Sequence, residues 1–294
     1  MKIITRHSQE NELTKLKVIW HTVFGEAGAA SFFNTVQTHE HTIVAEYNGK
    51  PAAMGFIIDA GEMICEDMSL RCAMLYGIAT HPEQRGIGLG KAVVNSLIET
   101  AYSRGFKAAV LCPSEDSLFE YYSKNTKMRD WFYSPEYTFT QFTTASIIAN
   151  KKYPEPATPA EYISLREKLL INIPHIKSNV SVMEYQKQLC DELGGGLYKI
   201  GDSCAIVEVQ LDKTVYIKEL LTPDENANDM ITLLTSQYKT DNITVRLPAK
   251  KEESIINTAG INTARRFGML ALKDDSLLNF NDSAFLPWYG PAFD

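Results

Sequence analysis

The chain has 294 residues, 45% of them apolar and 10% aromatic, which is enough for a packed core and too apolar for a disordered chain. Acidic residues outnumber basic ones by 36 to 29, for a net charge of −7. That balance argues against sequence-independent nucleic-acid binding, which needs a cationic field against phosphate, and mildly favours cationic small molecules or peptides as partners.

Residues 2–6 read as a short strand. Residues 13–24 carry Leu13, Leu16, Ile19, Trp20 and Val23 at helical spacing, and Gly25 and Gly28 break the pattern. A short helix over 31–37 follows. Residues 41–47 alternate as a strand into Asn48-Gly49, a strong hairpin signal, and 52–60 return. Residues 72–80 form an apolar strand that contains Gly77, which marks either a bulge or tight packing. The segment from Gln84 to Gly90 is glycine-rich and opens a helix with the stripe Val93, Val94, Leu97, Ile98 and Ala101, ended by Gly105. Residues 107–111 read as a buried strand and 118–124 as a short aromatic helix.

Three prolines between 154 and 159, then a capping box at Thr158 to Glu161, mark a fresh start, so a domain boundary is expected near residue 150. The resulting domains are 1–150 and 151–294. The second repeats the first in outline: helices over 159–170 and 182–193, a strand pair over 197–200 and 205–209, a strand over 214–221, a helix over 227–238 and a strand over 243–247. Thr222-Pro223 mirrors Thr80-His81-Pro82, and Asp224-Glu225-Asn226 stands where the glycine-rich turn would be. A divergent internal repeat and two unrelated α/β halves both fit this outline.

Five scattered cysteines form no CxxC pair and six histidines form no HExxH, so the expected state is reduced, buried thiols with no metal site. No apolar run reaches the roughly 20 residues of a membrane span, and the first residues lack a signal-peptide pattern. A cytoplasmic protein is expected.

A strand, a glycine-rich turn and a helix N-terminus together make an anion site, because the first helical amides lack partners and the helix dipole is positive there. Gly86, Gly88 and Gly90 let the backbone bend and a phosphate approach, while Arg85 and Lys91 add charge. The dinucleotide fingerprint GxGxxG is absent, and so is the nucleotide P-loop, because Ala92 follows Lys91 where a Ser or Thr would hold magnesium. What stands here is Arg85-x-x-Gly88-x-Gly90, preceded by Leu75-Tyr76-Gly77-Ile78-Ala79-Thr80-His81-Pro82. Over residues 1–145 this resembles the GNAT N-acetyltransferase superfamily.

The resemblance implies a GNAT-type α/β (α+β) fold: a mixed, splayed central sheet flanked by helices, followed by a second α/β domain that lacks the diphosphate turn. It implies acetyl-CoA as cofactor, with main-chain groups of Ile78, Ala79 and Thr80 along the pantetheine arm. Arg85, Gly86, Ile87, Gly88, Leu89, Gly90 and Lys91 would hold the diphosphate. It also implies acetyl transfer to a primary amine of a small molecule or peptide. The Ile78 amide would serve the oxyanion. Tyr122, on the helix after the fifth strand, would be the proton donor to the thiolate. Thr126-Lys127 stands where the family has Gly-Phe, so Tyr121 stays an alternative. Glu26, Glu66, Asp67, His21 and His81 read as solvated or packed side chains rather than a base. The second half could close one side of the pocket, form a homo-oligomer surface or bind a separate ligand. A non-catalytic acyl-CoA-binding scaffold is the alternative function. The aromatic C-terminus, Phe285 to Phe293, should dock rather than float. It either staples the second domain or resembles the tail of the enhanced-intracellular-survival acetyltransferases, whose terminal carboxylate reaches the active site.

Overall fold

The computed structural model describes residues 3–26, 28–139, 153–210, 212–223, 227–240, 242–250, 261–278 and 284–294. In chain order the elements begin β1 (Ile4–His7), α1 (Leu13–Phe24), α2 (Ala29–Ser31), β2 (Thr42–Tyr47), β3 (Lys50–Cys65), β4 (Met68–Thr80), α3 (Leu89–Ser103), β5 (Ala108–Leu111), α4 (Asp116–Asn125) and β6 (Arg129–Phe139). They continue with β7 (Glu155–Pro156), α5 (Pro159–Leu169), β8 (His175–Ser178), α6 (Val180–Glu192), β9 (Gly196–Ile200), β10 (Ser203–Val209), β11 (Val215–Leu221), α7 (Ala227–Tyr238), β12 (Ile243–Arg246) and β13 (Ile261–Leu272). The fold is mixed α/β, as expected. The boundary expected near residue 150 lies outside the described residues.

Two compact units result, and neither is one continuous piece of chain. The first takes Met1–Met63, Ser69–Trp131 and Gly268–Asn279; the second takes Ile64–Met68, Phe132–Phe267 and Phe280–Asp294. In the first, strands lie in the order β1-β2-β3-β4-β5-β13. The β2–β3 hairpin turns at Asn48-Gly49 as its sequence predicts, with both residues at positive φ. The return strands run longer than their alternation suggested: β3 continues to Cys65 and β4 starts at Met68, turning at Glu66-Asp67. The helix expected over 31–37 is α2 followed by a π-turn over Phe32–Val36. The first unit's core forms where α3 lays Leu89, Val93, Val94, Leu97, Ile98 and Ala101 on the sheet, as its 3.6-residue periodicity requires.

In the second unit the order is β6-β12-β11-β10-β9-β7. The succession inside both units is the same. An antiparallel pair (β2–β3, β9–β10) leads into a third strand (β4, β11), and a helix (α3, α7) crosses to a parallel fourth (β5, β12). An antiparallel strand then covers the fourth: β13 on β5, β6 on β12. Two helices precede each set. This is the topology of an internal repeat.

The C-terminal tail is docked. Trp288 donates its backbone N–H to the Pro174 carbonyl at 2.7 Å and its indole N–H to Glu219 at 2.5 Å. Glu219, fully buried, also takes Tyr162 Oη at 2.8 Å and Arg166 Nε at 3.0 Å, while Arg166 Nη1 reaches the Ile176 carbonyl at 2.8 Å. Gly290 rests on this pair: a Cβ there would lie 2.5 Å from Arg166 Nη2 and 2.7 Å from Glu219 Oε2, so only glycine fits. Asp294 ends the tail between Arg246 Nη2, at 2.6 Å, and Lys218 Nζ, at 3.9 Å. Its burial would raise the Asp294 carboxyl, but the two cations hold it far below the usual range.

Trp288→Phe keeps the ring and deletes the donor to a buried carboxylate. It should cost about 1–3 kcal/mol of stability, read as a lower urea midpoint at unchanged slope.

Candidate active site

Parallel pairing between β4 and β5 covers Cys72, Ala73 and Met74 against Ala108, Ala109 and Val110, and ends there among the described residues. β5 itself continues to pair with β13 through Leu111 and Met269. β4 therefore runs on to Thr80 without β5 beside it among the described residues, at the carboxyl ends of the two parallel strands, where open α/β sheets place ligands.

Gly77 marks the departure. Its φ is +56°, and a Cβ would lie 2.8 Å from the Phe56 ring and 2.9 Å from Trp20. Both readings of this glycine hold: the backbone is irregular, and an aromatic cluster presses directly on it. Trp20 stacks on Phe32 at 4.9 Å and meets Tyr76 edge-on at 5.9 Å. Ile78 packs against the core beneath α3, Ala79 is buried, and Thr80 is half-buried at the rim.

The turn follows directly. Arg85 folds back so that its Nε points at the Thr80 carbonyl, at 3.3 Å. Gly86 and Gly88 have φ of +81° and +90°, and neither meets a neighbour closer than 3.5 Å. Gly86, Ile87 and Gly88 are exposed, and Leu89 buries its side chain under the helix. Gly88 caps α3 without a side-chain bond, and the first intrahelical bond is from the Ala92 N–H to the Gly88 carbonyl. The amides of Leu89, Gly90 and Lys91 thus precede the helical ladder, at the positive end of the dipole, beside the exposed Lys91 side chain.

The structure brings α4 onto this turn. Asn95 of α3 donates to the Asn125 carbonyl at 3.1 Å and fixes the end of α4. The two tyrosines then diverge. Burial raises the Tyr121 phenol. A Cβ on Gly90 would lie 3.1 Å from the Tyr121 hydroxyl and 3.3 Å from Thr80 Oγ1, so these two oxygens flank the turn. Tyr122 points inward, 6% exposed, and burial pushes its phenol far above its usual value. Among the other candidates, His21 lies 3.1 Å from the exposed Glu26. Glu66 and Asp67 sit at the exposed tip of the β3–β4 hairpin. That the Tyr121 hydroxyl lies beside Gly90 has no signal in the sequence beyond the two adjacent tyrosines.

The sequence profile of the GNAT acetyltransferase domain matches residues 5–126. Residues 5–126 are a GNAT acetyltransferase domain. No curated protein matches the chain. Among solved structures, a GCN5-related N-acetyltransferase from Anabaena variabilis is similar over 92% of this chain and 72% of its own, with 14% identity and a TM-score of 0.71. One from Kribbella flavida covers 92% and 71%, with 14% identity and a TM-score of 0.69. Eis1 from Mycobacterium abscessus covers 92% and 73%, with 13% identity and a TM-score of 0.64. At these identities the likeness establishes the fold, and it extends through both units of the repeat.

The GNAT turn yields an asymmetric prediction. Gly88→Ala forces an L-residue to φ near +90° and should cost about 1–3 kcal/mol and most of the acetyl-CoA affinity. Gly90→Ala places its methyl against the ends of two side chains on a helical backbone and should leave affinity nearly intact. Calorimetric titration with acetyl-CoA compares the two.

Proposed function

We propose that the chain is an acetyl-CoA-dependent N-acetyltransferase acting on a primary amine of a small molecule or peptide. The observation that carries this reading is the conjunction of uncapped α3 amides with an unpaired β4 edge. A cofactor with a diphosphate at one end and an amide-bearing arm at the other needs both. Bound there, acetyl-CoA supplies an acetyl group activated as a thioester.

The chain's own residues have distinct tasks. Amides of residues 86–91, helped by Arg85 and Lys91, bind the diphosphate oxygens. Main-chain groups of Ile78, Ala79 and Thr80 take the arm as an added strand. On this reading the Ile78 amide, next to Gly77, donates to the oxygen on which negative charge develops. Tyr122 acts as the acid. Burial keeps its phenol protonated across the physiological range, which makes it a hydrogen-bond donor to a thiolate; full proton transfer to a group whose conjugate acid has a pKa of about 8.5 runs uphill from a phenol raised this far. Tyr121 belongs to the diphosphate end on this reading, because its hydroxyl lies beside Gly90. The Trp20, Phe32 and Tyr76 cluster provides a rigid apolar floor under Gly77. The protein works in the cytoplasm on this reading, and among the described residues no helix is long and apolar enough to cross a membrane.

Incubation with acetyl-CoA and a library of amines, followed by thiol release, tests the activity. Tyr122→Phe should lower kcat by about 100-fold or more while leaving acetyl-CoA affinity within a small factor. Unchanged turnover would remove Tyr122 from the chemistry. Acetyl-CoA binding with no thiol release from any amine would favour a scaffold.

A further inference from the structure

The second unit contains its own version of this strand arrangement. Parallel pairing of β11 with β12 runs over Val215, Tyr216 and Ile217 against Ile243, Thr244 and Val245, and stops, while β11 continues to Leu221. A cavity of about 420 Å³ opens just beyond, at the carboxyl ends of these strands and the start of α7. That volume lies within the usual range for small-molecule sites, and the location is where parallel sheets bind ligands.

The walls define what would fit. Leu221, Leu247, Ile173 and Phe285 give it apolar walls, beside the polar Asn172 and Thr222. Lys168 is the one charged side chain among the described residues that line it. It stands exposed at the end of α5, and Ile171, 78% exposed, stands at the mouth. An exposed isoleucine beside a lone cation and an apolar interior suits a ligand with an alkyl body and one negative charge. A coenzyme A nucleotide does not suit it, because no glycine-rich run precedes α7 and the sequence there is Asp224-Glu225-Asn226.

We propose that this cavity is a second ligand site, distinct from the acetyl-CoA site, that takes an aliphatic monocarboxylate with its chain between Leu221 and Leu247 and its carboxylate at Lys168. Tail residue Phe285 closes one wall, so occupancy and docking of the tail support each other.

The test compares decanoate, decanol and decylamine on the full-length protein by calorimetric titration, with and without saturating acetyl-CoA. Decanoate should bind about tenfold or more tightly than decylamine. Its affinity should be unchanged by acetyl-CoA and should fall about tenfold in Lys168→Glu, a surface variant whose acetyl-CoA affinity stays as in the parent. Crystals soaked with ω-bromodecanoate should show the bromine between Leu221 and Leu247. No binding, equal or tighter binding of decylamine, displacement by acetyl-CoA, or bromine located elsewhere would each overturn the proposal. None of these results bears on turnover in the first unit.

Discussion

Two parallel strands that separate after three residue pairs set the conditions for everything else in the first unit. A strand buried in a sheet satisfies its main-chain donors and acceptors on both sides. β4 gives up that arrangement toward β5 beyond Met74, and the edge it leaves is the one a strand-like ligand can complete. Gly77 keeps the strands apart. The Phe56 and Trp20 rings lie so close to its backbone that no side chain fits, and its positive φ breaks the pleat. The apolar core and the polar edge are therefore two consequences of one residue. The α3 amides, one turn further along the chain, are held at the same end of the sheet because β4 leads straight into them.

The repeat shows the same device with different chemistry. Measured from the last parallel pair, one more residue separates Met74 from Thr80 than separates Ile217 from Thr222. Both third strands are irregular: β4 has Gly77 at positive φ, and β11 shifts register against β10 with Lys218 as the extra residue between Ile217 and Glu219. At that shift β11 carries Lys218 and Glu219, adjacent and both buried. Lys218 meets Glu208 at 3.0 Å; Glu219 meets Arg166, Tyr162 and Trp288. Buried charges persist only when fully partnered, and here the partners come from α5, β10 and the tail.

Much of this was readable from residues. The Asn48-Gly49 turn, the α3 stripe, the Thr158 capping box and the Arg85-x-x-Gly88-x-Gly90 turn are local codes, so each is visible in a short window. The strands β6, β8 and β13 were not. In β13 the pattern is interrupted by Arg265, Arg266 and Gly268, and its partner β5 lies some 160 residues earlier, so nothing local announces the pairing. The return strand reads only to residue 60 in the sequence, but β3 continues through Gly61, whose N–H donates to Asp59, as far as Cys65. At the site, helical spacing alone cannot decide which of two adjacent tyrosines faces a ligand. That depends on the roll of α4, which Asn95 fixes from another helix through the Asn125 carbonyl.

The net charge of −7 and the anion site are compatible because a site responds to its local field. Carboxylates elsewhere are drawn into pairs: Glu12 and Glu46 on Arg6, Asp59 on Arg71, Glu136 and Asp294 on Arg246. Arg85 and Lys91 instead stand exposed beside uncapped amides, with no carboxylate among their hydrogen-bonding partners in the described residues. Glutamate or aspartate on that turn would cancel the dipole's contribution at the one place where it is needed. The corresponding segment of the second unit, Asp224-Glu225-Asn226, has made that substitution, so the two units read as one architecture with opposite electrostatic choices at the entrance to the crossover helix.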